Sequence, residues 1–179
     1  MRTTPALVCL LLIALAAPAR ATVVVPADLG ELARDAIAIA RGRVAAINVQ
    51  WTDDRGTIET IVTLEVESYL KGSFGSELSF RVPGGELGRF RSIVVGAPEF
   101  AVGQRVVVFL GARGPTIPFI VGFNQGVYRI VAGESGWMVT PPANVPAAAS
   151  VRVVRGDVAR RPMPLADFEQ RVRALGSAR

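Results

Sequence analysis

Polar and apolar positions alternate most clearly from Ile58 to Ser68. Ile58, Thr60, Val62, Leu64, Val66 and Ser68 fall on one face, and Glu59, Ile61, Thr63, Glu65 and Glu67 on the other. A period of two sustained over about a dozen residues predicts a strand longer than usual, with one face in a core. Long, bent strands of this kind build small closed barrels. Ala36 to Trp51 reads as a second long strand, interrupted at Arg41-Gly42-Arg43, where the glycine predicts a bulge or a sharp bend. Shorter strands are expected at Glu77–Val82, Ser92–Val95, Arg105–Gly111, Phe119–Phe123, Val127–Ala132 and Trp137–Thr140. Turn residues separate them: Thr52 to Gly56, Pro83-Gly84-Gly85, Gly96-Ala97-Pro98, Asn124-Gln125-Gly126 and Gly133-Glu134-Ser135-Gly136, the last two read as hairpin turns. Many short strands with frequent turn signals predict an all-β sandwich or barrel.

The ends of the chain break this pattern. Asp28 with Glu31 three residues later has capping-box spacing and predicts a short helix. Leu165, Phe168, Val172 and Leu175 recur at helical spacing, and Gly176 stands where a C-cap belongs. This second helix is expected to pack on the barrel. Arg2, the apolar run Ala6 to Ala17 and the small-x-small site Ala19-Arg20-Ala21 form a secretory signal peptide with cleavage expected after Ala21. The expected organisation is a signal peptide over 1–21, a β-barrel domain over 22–140, a linker or loop over 141–163 and a closing helix over 164–176. The implied location is secreted or periplasmic.

Composition narrows the chemistry. Half the chain is apolar and a fifth charged, the balance of a globular protein. No second apolar run approaches the roughly 20 residues of a membrane helix, so no membrane insertion is expected after cleavage. The only cysteine, Cys9, lies inside the signal run, and the chain has no histidine. The mature chain is therefore expected to lack disulfides, Ser-His-Asp triads, Cys-His dyads and ordinary zinc sites. No cofactor or metal is expected. The net charge of +5 is concentrated at the C-terminus, where seven arginines after Ser150 face Asp157, Asp167 and Glu169. Thr22 to Ser150 carries −1.

Candidate chemistry is sparse. Ser68-Tyr69-Leu70-Lys71 fits S-x-x-K, but on a strand Ser68 and Lys71 point to opposite sides, and the partner motifs are missing. Asp53-Asp54-Arg55-Gly56 lacks full calcium-loop spacing and reads as a solvated turn. Glu86 and Glu99 would form a glycosidase-type carboxylate pair only if the fold brought them together. Pro83-Gly84-Gly85-Glu86-Leu87-Gly88 matches no phosphate-binding fingerprint; its glycines suit a turn, or a bare backbone that approaches a partner. Trp51, Phe80, Phe90 and Tyr128 offer stacking surfaces, but the near-neutral body argues against nucleic acid. Arg160-Arg161 and Arg171-Val172-Arg173 read as a solvated basic face.

One further pattern spans Arg41 to Ile130. It comprises Gly42-Arg43-Val44, Trp51 before an acidic turn, Ile58-Glu59-Thr60, Leu70-Lys71-Gly72, Val82-Pro83-Gly84-Gly85, Gly96-Ala97-Pro98-Glu99-Phe100, Val107-Val108-Phe109-Leu110, and Gly122 with Gln125-Gly126. In this order the pieces resemble a family of exported bacterial proteins of uncharacterised function. Gln104 departs from the glutamate expected there. The resemblance implies a small barrel similar to the oligosaccharide/oligonucleotide-binding (OB) fold and to that of secreted metalloproteinase inhibitors. Those inhibitors reach zinc through an N-terminal cysteine, which a chain starting at Thr22 lacks. The expected function is a non-catalytic binding module for an unknown protein or envelope polymer. Its candidate surface comprises Pro83, Gly84, Gly85, Glu86, Gly88, Glu99, Phe100, Asn124, Gln125 and Gly126. The alternatives are a hydrolase using carboxylates or Lys71 and a self-associating envelope component.

Overall fold

The uninterrupted apolar run Val106-Val107-Val108-Phe109-Leu110 cannot serve one face alone, because side chains along a strand alternate and both sets need cover. A computed structural model of the chain, describing residues 27–114, 116–134, 136–142 and 161–177, shows what covers them. The expected signal peptide, and residues 143–160 of the linker expected over 141–163, lie outside the described residues. The strands are β1 (Ala38–Trp51), β2 (Ile58–Lys71), β3 (Glu77–Pro83), β4 (Gly85–Leu87), β5 (Phe90–Ser92), β6 (Arg105–Gly111), β7 (Phe119–Ile120), β8 (Val127–Gly133), β9 (Gly136–Thr140) and β10 (Met163–Pro164). Among the described residues two helices flank them, α1 (Leu29–Asp35) and α2 (Leu165–Ser177). The protein is mainly β, as its alternation predicts.

The main sheet runs β1-β2-β3-β7-β6-β8-β9-β10, and β1 also pairs with β6. That extra pairing closes β1, β2, β3, β7 and β6 into a ring. All its seams are antiparallel except β3–β7, a parallel contact at the single pair Arg81 and Phe119. Inside the ring, Val106, Val108 and Leu110 of β6 pack with Ala38, Ala40, Val44, Val62, Leu64, Leu78 and Phe80. On the other side of β6, Val107 and Phe109 meet α1 and α2 through Leu29, Leu32, Phe168 and Val172. Tyr128 bridges this second core, its ring 5.6 Å from Phe109 and 4.8 Å from Phe168. β6 thus divides two cores.

Strand β1 reaches both cores by alternation, Ala38 and Ala40 facing the ring interior and Ile39 the helices, and it then bends. Its register against β2 shifts between Arg41 and Gly42 and between Val44 and Ala46. Gly42 is obligatory at the first bend, since a Cβ there would lie 2.2 Å from the Glu65 carbonyl oxygen. The outer face of the bend carries ions: Arg41 pairs with both Glu67 and Glu169, and Arg105 with Glu67. Glu169 ties α2 to the ring and also meets Arg173, so part of the basic C-terminal face is neutralised locally.

Four expectations require correction. The strand expected at Phe119–Phe123 ends at Ile120, because Gly122 takes a left-handed φ of 65° and the chain enters a 3-10 turn, Phe123–Gly126. Asn124-Gln125-Gly126 is therefore an inward turn between β7 and β8, not a hairpin. The strand expected at Ser92–Val95 lies earlier, at Phe90–Ser92, paired with β4. Gly176 lies within α2 and does not cap it.

Helix α1 has the capping box that its sequence predicts, with Asp28 accepting from Glu31 N–H and Glu31 from Asp28 N–H. Its C-terminal carbonyls are met by the only lysine. Lys71 Nζ donates to Ala33 O at 2.7 Å and Arg34 O at 3.2 Å. A cation at that end also complements the helix dipole. Lys71→Met keeps the stem but removes both charge-assisted bonds, and is expected to cost about 1–2 kcal/mol in chemical denaturation; an unchanged midpoint would disprove the tie.

Candidate functional site

The loop after β3 turns sharply because two glycines take backbones closed to other residues. Gly84 has φ 91°, and a Cβ would stand 2.8 Å from Ser92 O. Gly85 has φ 147°, and a Cβ would meet Val49 Cγ1 at 2.7 Å and Thr60 Oγ1 at 2.8 Å. The Thr60 hydroxyl also donates to Gly84 O at 2.7 Å. These contacts press the β4–β5 hairpin onto β1 and β2. The hairpin pairs Gly85 with Ser92, Glu86 with Arg91 and Leu87 with Phe90, and Trp51 meets Phe90 edge-on at 5.3 Å.

After β5 the chain leaves the sheet as Ile93-Val94-Val95. Ile93 is 72% exposed and Val95 93% exposed. The segment is nevertheless held at both ends. Ala97 N–H bonds to Val94 O at 3.0 Å, and Gly96 has φ 83°, the positive φ that a type II turn needs at its third residue. Beyond it Ala97 and Phe100 pack into the ring core, Phe100 against Phe80 at 5.4 Å.

Two grooves flank this arm. One, of about 340 Å³, is lined by Thr52, Thr57, Glu59, Arg81, Val94 and Phe123, among others. The second, of about 370 Å³, lies between Ile47, Val49 and Thr60 on one side and Ala97, Glu99 and Phe100 on the other. Of the expected surface, Pro83, Gly84, Gly85, Glu86, Glu99 and Phe100 converge on this second groove. Gly88 sits apart at the hairpin turn, with open space around it. Asn124, Gln125 and Gly126 line neither groove. Gln125 and Gly126 are buried, and Gln125 Oε1 accepts from Ala27 N–H at 2.8 Å, so these two residues join the N-terminal segment to the ring and present no surface.

The charged groups are mostly engaged. Glu59 is buried, accepts from Gln50 Nε2 at 3.0 Å and lies 3.8 Å from Arg81. Glu86 and Arg91 are both exposed and 4.0 Å apart. Glu86 and Glu99 do share a groove, but both face solvent, unlike the apolar enclosure of a general acid. Lys71, bound to helix carbonyls, is far from free to serve Ser68. Asp54 accepts from the Thr52 hydroxyl and from Gly56 N–H, and these bonds hold its carboxyl below the ordinary aspartate range. Among the described residues, no group of three or more His, Cys, Asp or Glu converges to hold a metal.

Sequence reading missed the arm itself. Ile93-Val94-Val95 has a strand's composition, and nothing local marks it as unpaired. It also missed Ile47 and Val49, whose place beside the loop depends on the ring.

Gly85→Ala is expected to cost about 1–3 kcal/mol in thermal or chemical unfolding, through strained φ and collision with Val49 and Thr60. Gly88→Ala, at φ 60° but in open space, should cost less. Equal costs would contradict the close approach at Gly85. In an NMR titration, Asp54 should titrate below a model aspartate. Its folded value is depressed, so its contribution to the turn is complete above the unfolded aspartate value and lost as pH falls through the folded one. A normal titration would exclude the bonded turn.

No protein-family model, no curated protein and no solved structure matches this chain, so its function is read from its own geometry.

Proposed function

We propose that the strand ring is an OB-like barrel and that the chain is an exported, non-catalytic binding module whose partner is a protein. The order β1-β2-β3-β7-β6, returning to β1 with β3 and β7 parallel, supports the barrel reading. It also agrees with the resemblance to exported bacterial barrels. Five-stranded barrels of this type bind ligands on the face of their second and third strands and on adjoining loops. The groove between Thr52, Thr57, Glu59, Arg81 and Phe119 occupies the corresponding place.

The observation that carries the proposal is the arm Ile93-Val94-Val95. Exposed aliphatic side chains on a braced turn lose little conformational entropy on docking. An apolar centre with charges of both signs beside it, here Glu86 and Arg91, is how protein interfaces are built. An envelope polymer rich in hydroxyl or charged groups would find no polar group on those three side chains.

The test is capture of partners from the host's exported fraction, with Ile93→Asp and Val95→Asp compared against the unaltered chain. Both sites are exposed, so unfolding midpoints should hold within about 0.5 kcal/mol. Partner affinity is expected to fall about tenfold or more, as for a central contact. Undiminished capture by both variants would remove the arm from the interface and the reading with it.

A further inference from the structure

The second groove lies where a strand ladder splits. β1 pairs with β6 only from Ala38 to Arg43. Val44 makes the last ties, its N–H donating to Gln104 O and its C=O accepting from Gly103 N–H, each at 2.8 Å. The chain then turns, Gln104 N–H closing on Ala101 O at 3.1 Å, and residues 97–100 lie on the far side of the groove. Beyond Val44, β1 keeps β2 on one side and, among the described residues, has no strand neighbour on the other.

Which main-chain groups face that open edge follows from the pleat. At Val44 the side chain points into the ring while N–H and C=O point away from β2. Along one strand, the face a side chain takes fixes the edge its main-chain groups take. The register shift at Ala45 moves the inward set to odd numbers. Ile47 packs against the ring core, and Val49 meets Gly85 within the groove. Their N–H and C=O groups therefore point at the open edge, while those of Ala46, Asn48 and Gln50 bond to β2. The edge offers donors and acceptors at strand spacing, a pattern that another extended polypeptide matches.

Charge refines the guest. Glu86 is shared with Arg91, while the Glu99 carboxylate forms no ion pair among the described residues and is open to a cation, Arg129 Nη2 being engaged with the Glu99 main-chain carbonyl at 2.8 Å. We infer that the groove between β1 and residues 97–100 binds an extended polypeptide segment. The guest adds as a strand to the main chain of Ile47 and Val49 and places a basic side chain toward Glu99. This deepens the protein-binding reading and rests on it.

The probe is a random dodecapeptide library displayed on phage and selected against the purified full chain, with selected peptides synthesised. Selected peptides are expected to slow amide exchange at Ile47 and Val49. Val49→Pro removes one outward N–H where an edge tolerates proline, and should weaken binding about tenfold. N-methylation of alternate amides along one edge of the peptide should do the same with the protein unaltered, which separates the effect from any loss of folding. Glu99→Gln should weaken peptides bearing Lys or Arg severalfold and others little. The proposal fails if the library yields no binder, if binders leave Ile47 and Val49 unprotected, or if protection appears without peptide as protein concentration rises, which would assign the edge to a second copy. If Val95→Asp abolishes partner capture while Val49→Pro does not, the binding module stands and strand addition falls. If neither matters, both fall.

Discussion

Burial of β6 on both faces is the constraint from which this structure is built. A strand of five consecutive large apolar residues needs two covers, and the chain supplies a closed ring on one side and a helix pair on the other. Phe109 shows the consequence. Its ring is fully buried outside the strand ring, yet its backbone lies between β1 and β7, so α1 and α2 are as much part of the fold as the strands. Without cysteine in the described residues, that double packing holds the domain with no disulfide among them.

The same strand explains why the groove exists. β6 is seven residues long and β1 is fourteen, so β1 outruns its neighbour. The excess half of β1 keeps only β2, and the segment leading into β6 is pulled inward by Phe100 instead of running along the strand. A mismatch of strand lengths, fixed by a bulge at Ala45 and a turn at Gln104, leaves an edge open beside an apolar arm.

Local patterns were legible where one residue pair decided them. The alternation through Ile58–Ser68 placed β2, the Asp28–Glu31 spacing placed the α1 cap, and Gly42 marked a real bend. Gly84, Glu99 and Phe100 lie between strands, whereas Pro83 ends β3 and Gly85 and Glu86 open β4, and the convergence of these residues on one groove depends on a ring that no local window encodes. What failed depended on distant partners. Gln125 reads as an exposed hairpin-turn residue, but its turn faces inward and its side-chain carbonyl accepts from Ala27, 98 positions away. Ile93-Val94-Val95 looks like a strand, but β4 is too short to pair it. The part Lys71 plays, capping α1, likewise rests on a partner 38 positions away that no local pattern marks.

The ring's seams are very unequal. β1 and β2 register along nearly their whole lengths, whereas β3 and β7 register at the single pair Arg81 and Phe119, where Arg81 N–H bonds to Pro118 O. That junction has far less main-chain bonding to lose than the β1–β2 ladder, at roughly 1 kcal/mol for each bond. Its two sides are also far apart in sequence, so in folding it gains least for the loop it must close. The molecule is thus best regarded as a curled strip with a latch. The latch lies against the groove lined by Arg81 and Phe119, so a ligand seated there would bridge its two sides.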